Sequence, residues 1–363
     1  MNIVFFSTNS NYFDCQKILD KTLPSCQSQW KALAAEFPEH DFFVATQLPG
    51  SFLVDTAQGV FEKSPESVKY VCLLKENAED IASEILELTP DLVIAASFWV
   101  TPYDWLPVKD ALVAEKLSES GVKTLCTPKE FSAICFDKWQ THQFLKQNGF
   151  NVPEAVYVHH NLFWCERGHK EIKTNVYKEY TLAKIKKLKY PVIIKDTVGL
   201  SSYGAEVVPT FKAAAAYLQS HKNSSDRIVE EYISGVQFGC EIHGIPGNYK
   251  VLPPFIFSVN QYGITSPKQS VKLGPVAFDS ANFDSEKFGV HFEKSEDFGN
   301  FASRIPLELN ESLLSLAEKM QFAGIAQVDL VLSDGKWFIL EINPRLSGMS
   351  ELYAVLQNAS LFR

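Results

Sequence analysis

The stretch GIAQVDLVLSDGKWFILEINPR, residues 324–345, decides the fold, because it reads as two apolar-alternating runs joined by an Asp-Gly turn. In the first run Ala326, Val328, Leu330 and Leu332 are apolar, and Gln327 and Asp329 fall between them. In the second, Phe338, Leu340 and Ile342 are apolar, and Glu341 and Asn343 take the other parity. A strand alternates its side chains with a period of two, so one face goes to a core and the other collects Gln327, Asp329, Glu341 and Asn343. A three-residue loop, Asp334-Gly335-Lys336, would set Ser333 opposite Trp337 and therefore Asp329 opposite Glu341. A two-residue loop would set Asp329 against Leu340 and destroy the pairing. Facing carboxylates repel unless a cation lies between them, and oxygen ligands of this kind suit Mg²⁺ shared with phosphates. Taken alone, the pair is better read as an ordinary exposed polar face.

Strands and helices alternate through the first third of the chain. Strands are expected at 2–7, 41–45, 70–74 and 91–96, with helices at 27–37 and 78–88. That pattern predicts an α/β fold with an open parallel sheet. No G-x-G-x-x-G follows the first strand, which argues against a dinucleotide-binding fold. Further on, a helix at 137–148 has Asp137 as its cap and Gly149 as its stop. A helix is expected at 178–189, strands at 190–196, 205–208 and 227–231, and a helix running from its Thr210 cap to about Ser220. A sheet-like region at 238–278 and a helix at 311–322 lead into the closing hairpin.

The chain has 363 residues, enough for two or three domains, and its 46% hydrophobic and 21% charged residues exclude wholesale disorder. A net charge of −9 lacks the basic field that nucleic acid or an anionic membrane would require. The longest uncharged apolar run, residues 92–103, is too short to span a bilayer. Met1–Phe6 is followed at once by polar Thr8-Asn9-Ser10-Asn11, so no signal peptide is read. Seven cysteines form no C-x-x-C pair, which fits a reducing cytoplasm.

With Glu341-Ile342-Asn343-Pro344-Arg345 as its end, the hairpin resembles the metal-binding end of ATP-grasp enzymes. Three further segments resemble that family in the same order: DKWQTHQFLKQNGFNVP (137–153), YPVIIKDTVGLSSYGAEVV (190–208) and RIVEEYISGVQFGCEIHG (227–244). The resemblance is strong over 137–345 and holds at the level of strand order before it. It implies two α+β subdomains gripping ATP, preceded by the parallel-sheet domain. The expected boundaries are 1–134 for the N-terminal domain and 135–363 for the ATP-grasp domain, with a lid at about 155–233 and a catalytic subdomain at about 234–363.

The resemblance also implies roles for residues. Lys138 and Lys195 would bring positive charge to the nucleotide phosphates. The turn containing Gly199, Ser201, Ser202 and Gly204 would turn backbone N–H groups toward phosphate oxygens. Glu230 would accept from the adenine amino group, the backbone of Glu231 and Ile233 would pair with the ring edge, and Gln237 would reach the ribose. Asp329, Glu341 and Asn343 would hold Mg²⁺ (or Mn²⁺). Arg345 would clamp the transferred phosphoryl or the carboxylate, and Lys268 or Lys272, in SPKQSVKLGP, would reach the same centre.

Two positions depart from the family pattern. Gln237 stands where many relatives have a carboxylate, and Gln327 where D-alanine–D-alanine ligases have an arginine, although Ser347-Gly348-Met349-Ser350 is similar to their substrate-side loop. Relatives also continue further past the motif than Arg363; a compact end, a completing partner and a missing continuation all fit that. The stretch 158–178 reads as an excursion beside the substrate pocket rather than a Cys165–His169 metal site, and KIKKLK (184–189) as one solvated helix face.

The implied activity is an ATP- and Mg-dependent ligase that activates a carboxylate as an acyl phosphate and joins it to an amine. Its partners would be small molecules, with no nucleic acid and no membrane, and a homodimer is compatible. A carboxylase-type or carbamoyl-phosphate-synthase-type acceptor, or an ATP-binding subunit that does not turn over, remains the alternative.

Overall fold

The computed structural model describes residues 1–8, 25–47, 53–57, 60–97, 106–165, 174–198, 205–257, 272–273 and 307–357. The N-terminal third contains β1 (Asn2–Ser7), β2 (Asp41–Gln47), the small ribbon β3 (Thr56–Ala57) and β4 (Val60–Phe61), β5 (Val68–Leu73), β6 (Leu92–Ala95) and β7 (Lys123–Leu125). The larger five strands form one parallel sheet in the order β5-β2-β1-β6-β7. Apolar residues run without a break along β1 because both faces of the sheet are covered. Ile3 and Phe5 pack with Trp30 and Leu33 of α1 (Cys26–Glu36). Val4 and Phe6 pack on the other side, with Ile81 and Ile85 of α2 (Ala78–Leu86) and Leu117 of α3 (Leu106–Glu119). The chain runs from β1 to β2 and β5 on one side and then crosses to β6 and β7 on the other, so the winding direction reverses between β1 and β6. Helix α3 has no counterpart in the sequence reading, because its buried positions include Asp110 and two alanines and so blur the apolar period.

Helices α4 (Lys129–Phe136) and α5 (Lys138–Gln147) lead to the second sheet. Asp137 caps α5 as its position predicted, its Oδ1 accepting from the Trp139 and Gln140 N–H groups at 2.8 and 3.0 Å. Strands β8 (Ala155–Val158), β9 (Val192–Asp196), β10 (Glu206–Val208) and β11 (Arg227–Glu231) pair antiparallel in the order β10-β9-β11-β8. Val158, Ile194 and Val229 fill one core with Phe163 of α6 (His160–Trp164), Ile185 of α7 (Val176–Ile185) and Leu218 of α8 (Phe211–Leu218). Helix α7 stops at Ile185, so most of KIKKLK lies beyond it rather than along one helical face, and Lys184 sits in the last turn, where a cation suits the helix dipole.

The third sheet comprises β12 (Val236–Ile245), β13 (Asn248–Val251), β14 (Phe255–Phe257), β15 (Lys272–Leu273), β16 (Gly324–Ser333) and β17 (Lys336–Asn343). Its order is β15-β14-β12-β16-β17, with β13 on the end of β12. Ala326, Val328 and Leu330 face a core with Phe238, Cys240 and Ile242, covered by α9 (Leu307–Met320) through Leu309, Leu313, Leu316 and Met320. The opposite face meets α10 (Gly348–Gln357), whose Met349 and Tyr353 cluster with Leu252, Phe255 and Phe257. Gly239 permits that approach, since a Cβ there would lie 2.2 Å from the Phe257 ring and 2.4 Å from the Met349 sulfur.

Candidate active site

Asp329 and Glu341 are directly opposite each other, as are Gln327 and Asn343, but not by the expected loop. The turn has two residues: Ser333 pairs with Lys336, and Asp334 and Gly335 both adopt positive φ, 48° and 71°. That is the geometry a two-residue Asp-Gly hairpin favours, because its twist matches the strands. Such a turn alone would have set Asp329 against Leu340. A β-bulge corrects it: Leu330 pairs with Ile339, Asp329 pairs with Glu341, and Leu340 is the extra residue. The core face of β17 accordingly changes parity, with Ile339 buried before the bulge and Ile342 after it.

Strand β12 completes the polar face. Gly239 pairs with Asp329, Glu241 with Gln327 and His243 with Ile325, so these residues share the surface that carries Glu341 and Asn343. Gln237 lies on the same face, opposite Val331. The Gln327 amide donates to Asp329 Oδ1 at 2.6 Å, so the glutamine that departs from the family pattern holds the aspartate carboxylate.

Of the two predicted lysines, Lys138 reaches this face and Lys195 is held within the second sheet. The backbone N–H of Lys138 donates to the Thr197 carbonyl at 2.7 Å, stitching the start of α5 to the end of β9, and Lys138 Nζ is 3.4 Å from Glu341 Oε1. Lys195 Nζ donates to Glu230 Oε2 at 2.6 Å. Lys195 pairs with Ile228, so Glu230 is its diagonal neighbour, within reach of a long side chain. Buried His142 lies 4.0 Å from Glu230 and is stacked on Trp139; burial pushes its pKa down.

Glu231 and Ile233 lie at and just beyond the end of β11. The Glu231 N–H donates to the Glu154 carbonyl at 2.9 Å, which removes that donor from the pair proposed for a ring edge. Arg345 donates from Nη2 to Asn343 Oδ1 at 3.3 Å and from Nη1 to the Leu346 carbonyl at 2.9 Å. Desolvation lowers its pKa to about 10, against the opposing pull of Glu341 and Asp329. Lys272 is in β15, paired with Phe257, and its side chain is outside the described residues. Gly199, Ser201, Ser202, Gly204 and Lys268 also lie outside them.

One cluster is only half visible in the sequence: Ser347 and Ser350 belong to the stretch similar to a substrate-side loop, whereas no role is read for Glu241 and His243. Glu241 is completely buried, and its carboxylate accepts from Ser347 at 3.0 Å and Ser350 at 2.5 Å while pairing with His243 Nε2 at 2.8 Å. Ser347 also caps α10: its Oγ accepts from the Met349 N–H, and its own N–H donates to Ser350 Oγ, each at 3.0 Å. The period-two reading applied to β12 would have put Glu241 and His243 on the face of Gly239, but nothing in the sequence indicated which strand lies beside β16.

The donors fit a divalent cation. Asp329, Glu341 and Asn343 offer oxygens from one face, and among the described residues no group of three or more His, Cys, Asp or Glu forms an all-protein cage. Oxygen donors of this kind suit an ion that shares its coordination with phosphate and water.

The model for the ATP-grasp domain matches residues 135–349. The chain belongs to the ATP-grasp family. D-alanine–D-alanine ligase A of Bacillus cereus is 22% identical over 245 residues, covering 67% of this chain and 68% of that enzyme. Two solved structures share the fold. The L-amino acid ligase of Bacillus licheniformis superposes with a TM-score of 0.57 at 18% identity, over 99% of this chain and 74% of that one. The D-alanine–D-alanine ligase of Bacillus anthracis complexed with ATP gives 0.52 at 14%, over 95% and 86%. These named relatives are ligases, and the chain shares the ATP-grasp domain with them. No helix among its described residues is long and apolar enough to cross a membrane.

Proposed function

We propose that this enzyme uses the γ-phosphate of ATP to activate a small-molecule carboxylate and then joins the acyl group to an amine. The observation that carries the reading is the in-register Asp329–Glu341 pair with Lys138 Nζ 3.4 Å from Glu341. A facing carboxylate pair with a lysine beside it suits a triphosphate and its cation. Lys138 and Lys195 would meet phosphate oxygens, with the amides of the 199–204 turn closing over them. Glu230 would exchange part of its contact with Lys195 for the adenine amino group, the Glu231 carbonyl and the Ile233 N–H would follow the ring edge, and Gln237 would reach the ribose. Asp329, Glu341 and Asn343 would hold Mg²⁺ or Mn²⁺, which supplies charge neutralisation at the transferring phosphoryl group.

In the first step a carboxylate oxygen attacks the γ-phosphorus, the bond to the β-phosphate oxygen breaks, and ADP leaves with that electron pair. Arg345, held by Asn343, would orient the phosphoryl or carboxylate oxygens, with Lys268 or Lys272 beside it. In the second step the amine nitrogen attacks the acyl carbon and loses a proton, and phosphate departs. Residues 1–134 would form one domain and 135–363 the other, in a cytoplasmic protein.

The test is ADP and phosphate release from Mg·ATP across single and paired acids and amines, with the coupled product weighed. In Glu341→Gln, ADP release is expected to fall at least a hundredfold while circular dichroism stays unchanged; near-normal turnover would remove the metal assignment.

A further inference from the structure

A cavity of about 280 Å³ lies at the carboxyl ends of β1, β6 and β7, against the end of the third sheet where β12 finishes and β16 begins. Its walls are apolar: Phe5, Ile94, Leu125, Ile325 and Leu346 line it. Its polar lining is Arg345 and His243 on the side of the third sheet, and Ser97, Asp110 and Thr127 on the side of the parallel sheet. It sits where the winding of the parallel sheet reverses, between β1 and β6, which is where open α/β sheets bind ligands. No residue of the second sheet lines it, so it is distinct from the cleft marked by Lys195 and Glu230. Arg345 joins the two places, since it lines the cavity and also holds Asn343.

We infer that this cavity receives the side chain of the carboxylate substrate, and that the substrate is an acid with a branched aliphatic or aromatic group. The inference rests on the ligase reading above. An acid whose carboxyl group is placed at Arg345 has its tail directed between Ile325, Leu346 and Phe5. An apolar cavity of about 150 Å³ is already large enough for benzene. A methyl side chain would leave most of this one unfilled, and a charged chain would lose hydration against walls that are mostly apolar and whose polar groups Arg345 and Asp110 already have partners. Asp110 contributes little to recognition, because its carboxylate already accepts from the Thr8 N–H, the Thr8 hydroxyl and Ser97.

Hydroxylamine, used in place of the amine, reports the acid alone: the acyl phosphate is trapped as a hydroxamate while ADP is released. With the full chain and Mg·ATP, leucine and phenylalanine should form hydroxamate with kcat/KM at least tenfold above alanine, glycine, aspartate or lysine, as a side chain differing by several methylenes would. Ala323→Leu, which adds bulk to a half-buried lining residue, should cut kcat/KM for phenylalanine at least tenfold and leave that for alanine within threefold. Hydroxamate formed best from alanine, glycine or a charged acid would overturn this inference and leave the ligase reading standing. So would a variant in which phenylalanine and alanine fall together while the melting temperature is unchanged. No ADP release with any acid, although ATP binds, would bring down the ligase reading and the inference with it.

Discussion

Replacing Glu241 by alanine removes the one acceptor shared by Ser347, Ser350 and His243, all in a site closed to water at the carboxylate. A hydrogen bond to a charged group contributes about 1.5–3 kcal/mol, so the three gross contributions exceed what will be measured. The substitution also abolishes the carboxylate's own desolvation cost, and breaking a buried ionic cluster typically costs about 3–5 kcal/mol. The expected loss is therefore about 3 kcal/mol, which for a chain of this length corresponds to a fall in melting temperature of about 4 °C. Because Ser347 caps α10 and lies two residues past Arg345, ADP release should fall as well. Urea unfolding followed by circular dichroism and tryptophan fluorescence measures the stability change. Glu241→Gln keeps the shape and one acceptor, so it should lose about half as much. A loss below about 0.5 kcal/mol in Glu241→Ala, the range of ordinary surface substitutions, would refute the view that this carboxylate anchors the start of α10.

Asp110 is buried, and its pKa is raised to about 6 from 3.8. The folded state therefore holds a proton that the unfolded state has lost between those values, so this group makes stability fall as pH rises from about 4 to 6. Asp110→Asn should flatten that slope in urea titrations across pH 4–7, and an unchanged slope would show that another group sets it. Lys195→Met leaves Glu230 buried without its 2.6 Å partner, at a cost of about 2 kcal/mol after nearby His142 becomes easier to protonate. Urea unfolding at pH 6 and pH 8 should show the larger loss at pH 8; equal losses would argue against that compensation. Deleting Leu340 removes only the extra residue of the bulge, so Asp329 and Glu341 should stay opposite and the Mg·ATP dissociation constant stay within threefold by calorimetry. A tenfold weakening would mean that the site needs the twist of the bulge and not only its register.

Much of the site is legible in the sequence because it lies on local periodicities. Asp329, Glu341 and Asn343 fall on one parity, Asp137 announces the helix that starts with Lys138, and the unbroken apolar run of β1 announces a sheet covered on both sides. The alternation in 324–345 determines which residues face the core on β16. It does not determine the register of β17, because a two-residue turn and a bulge at Leu340 give the same facing pair as a three-residue loop. Sequence spacing counts residues along a strand, whereas pairing depends on backbone dihedrals at the turn and on which residue the ladder leaves out. The Glu241–Ser347–Ser350–His243 cluster spans more than a hundred positions, and the cavity between β1, β6 and Arg345 joins the two ends of the chain. Only the packing of one sheet against another brings such residues together, since no short-range pattern encodes a contact whose partners are set by the burial of two separate apolar faces.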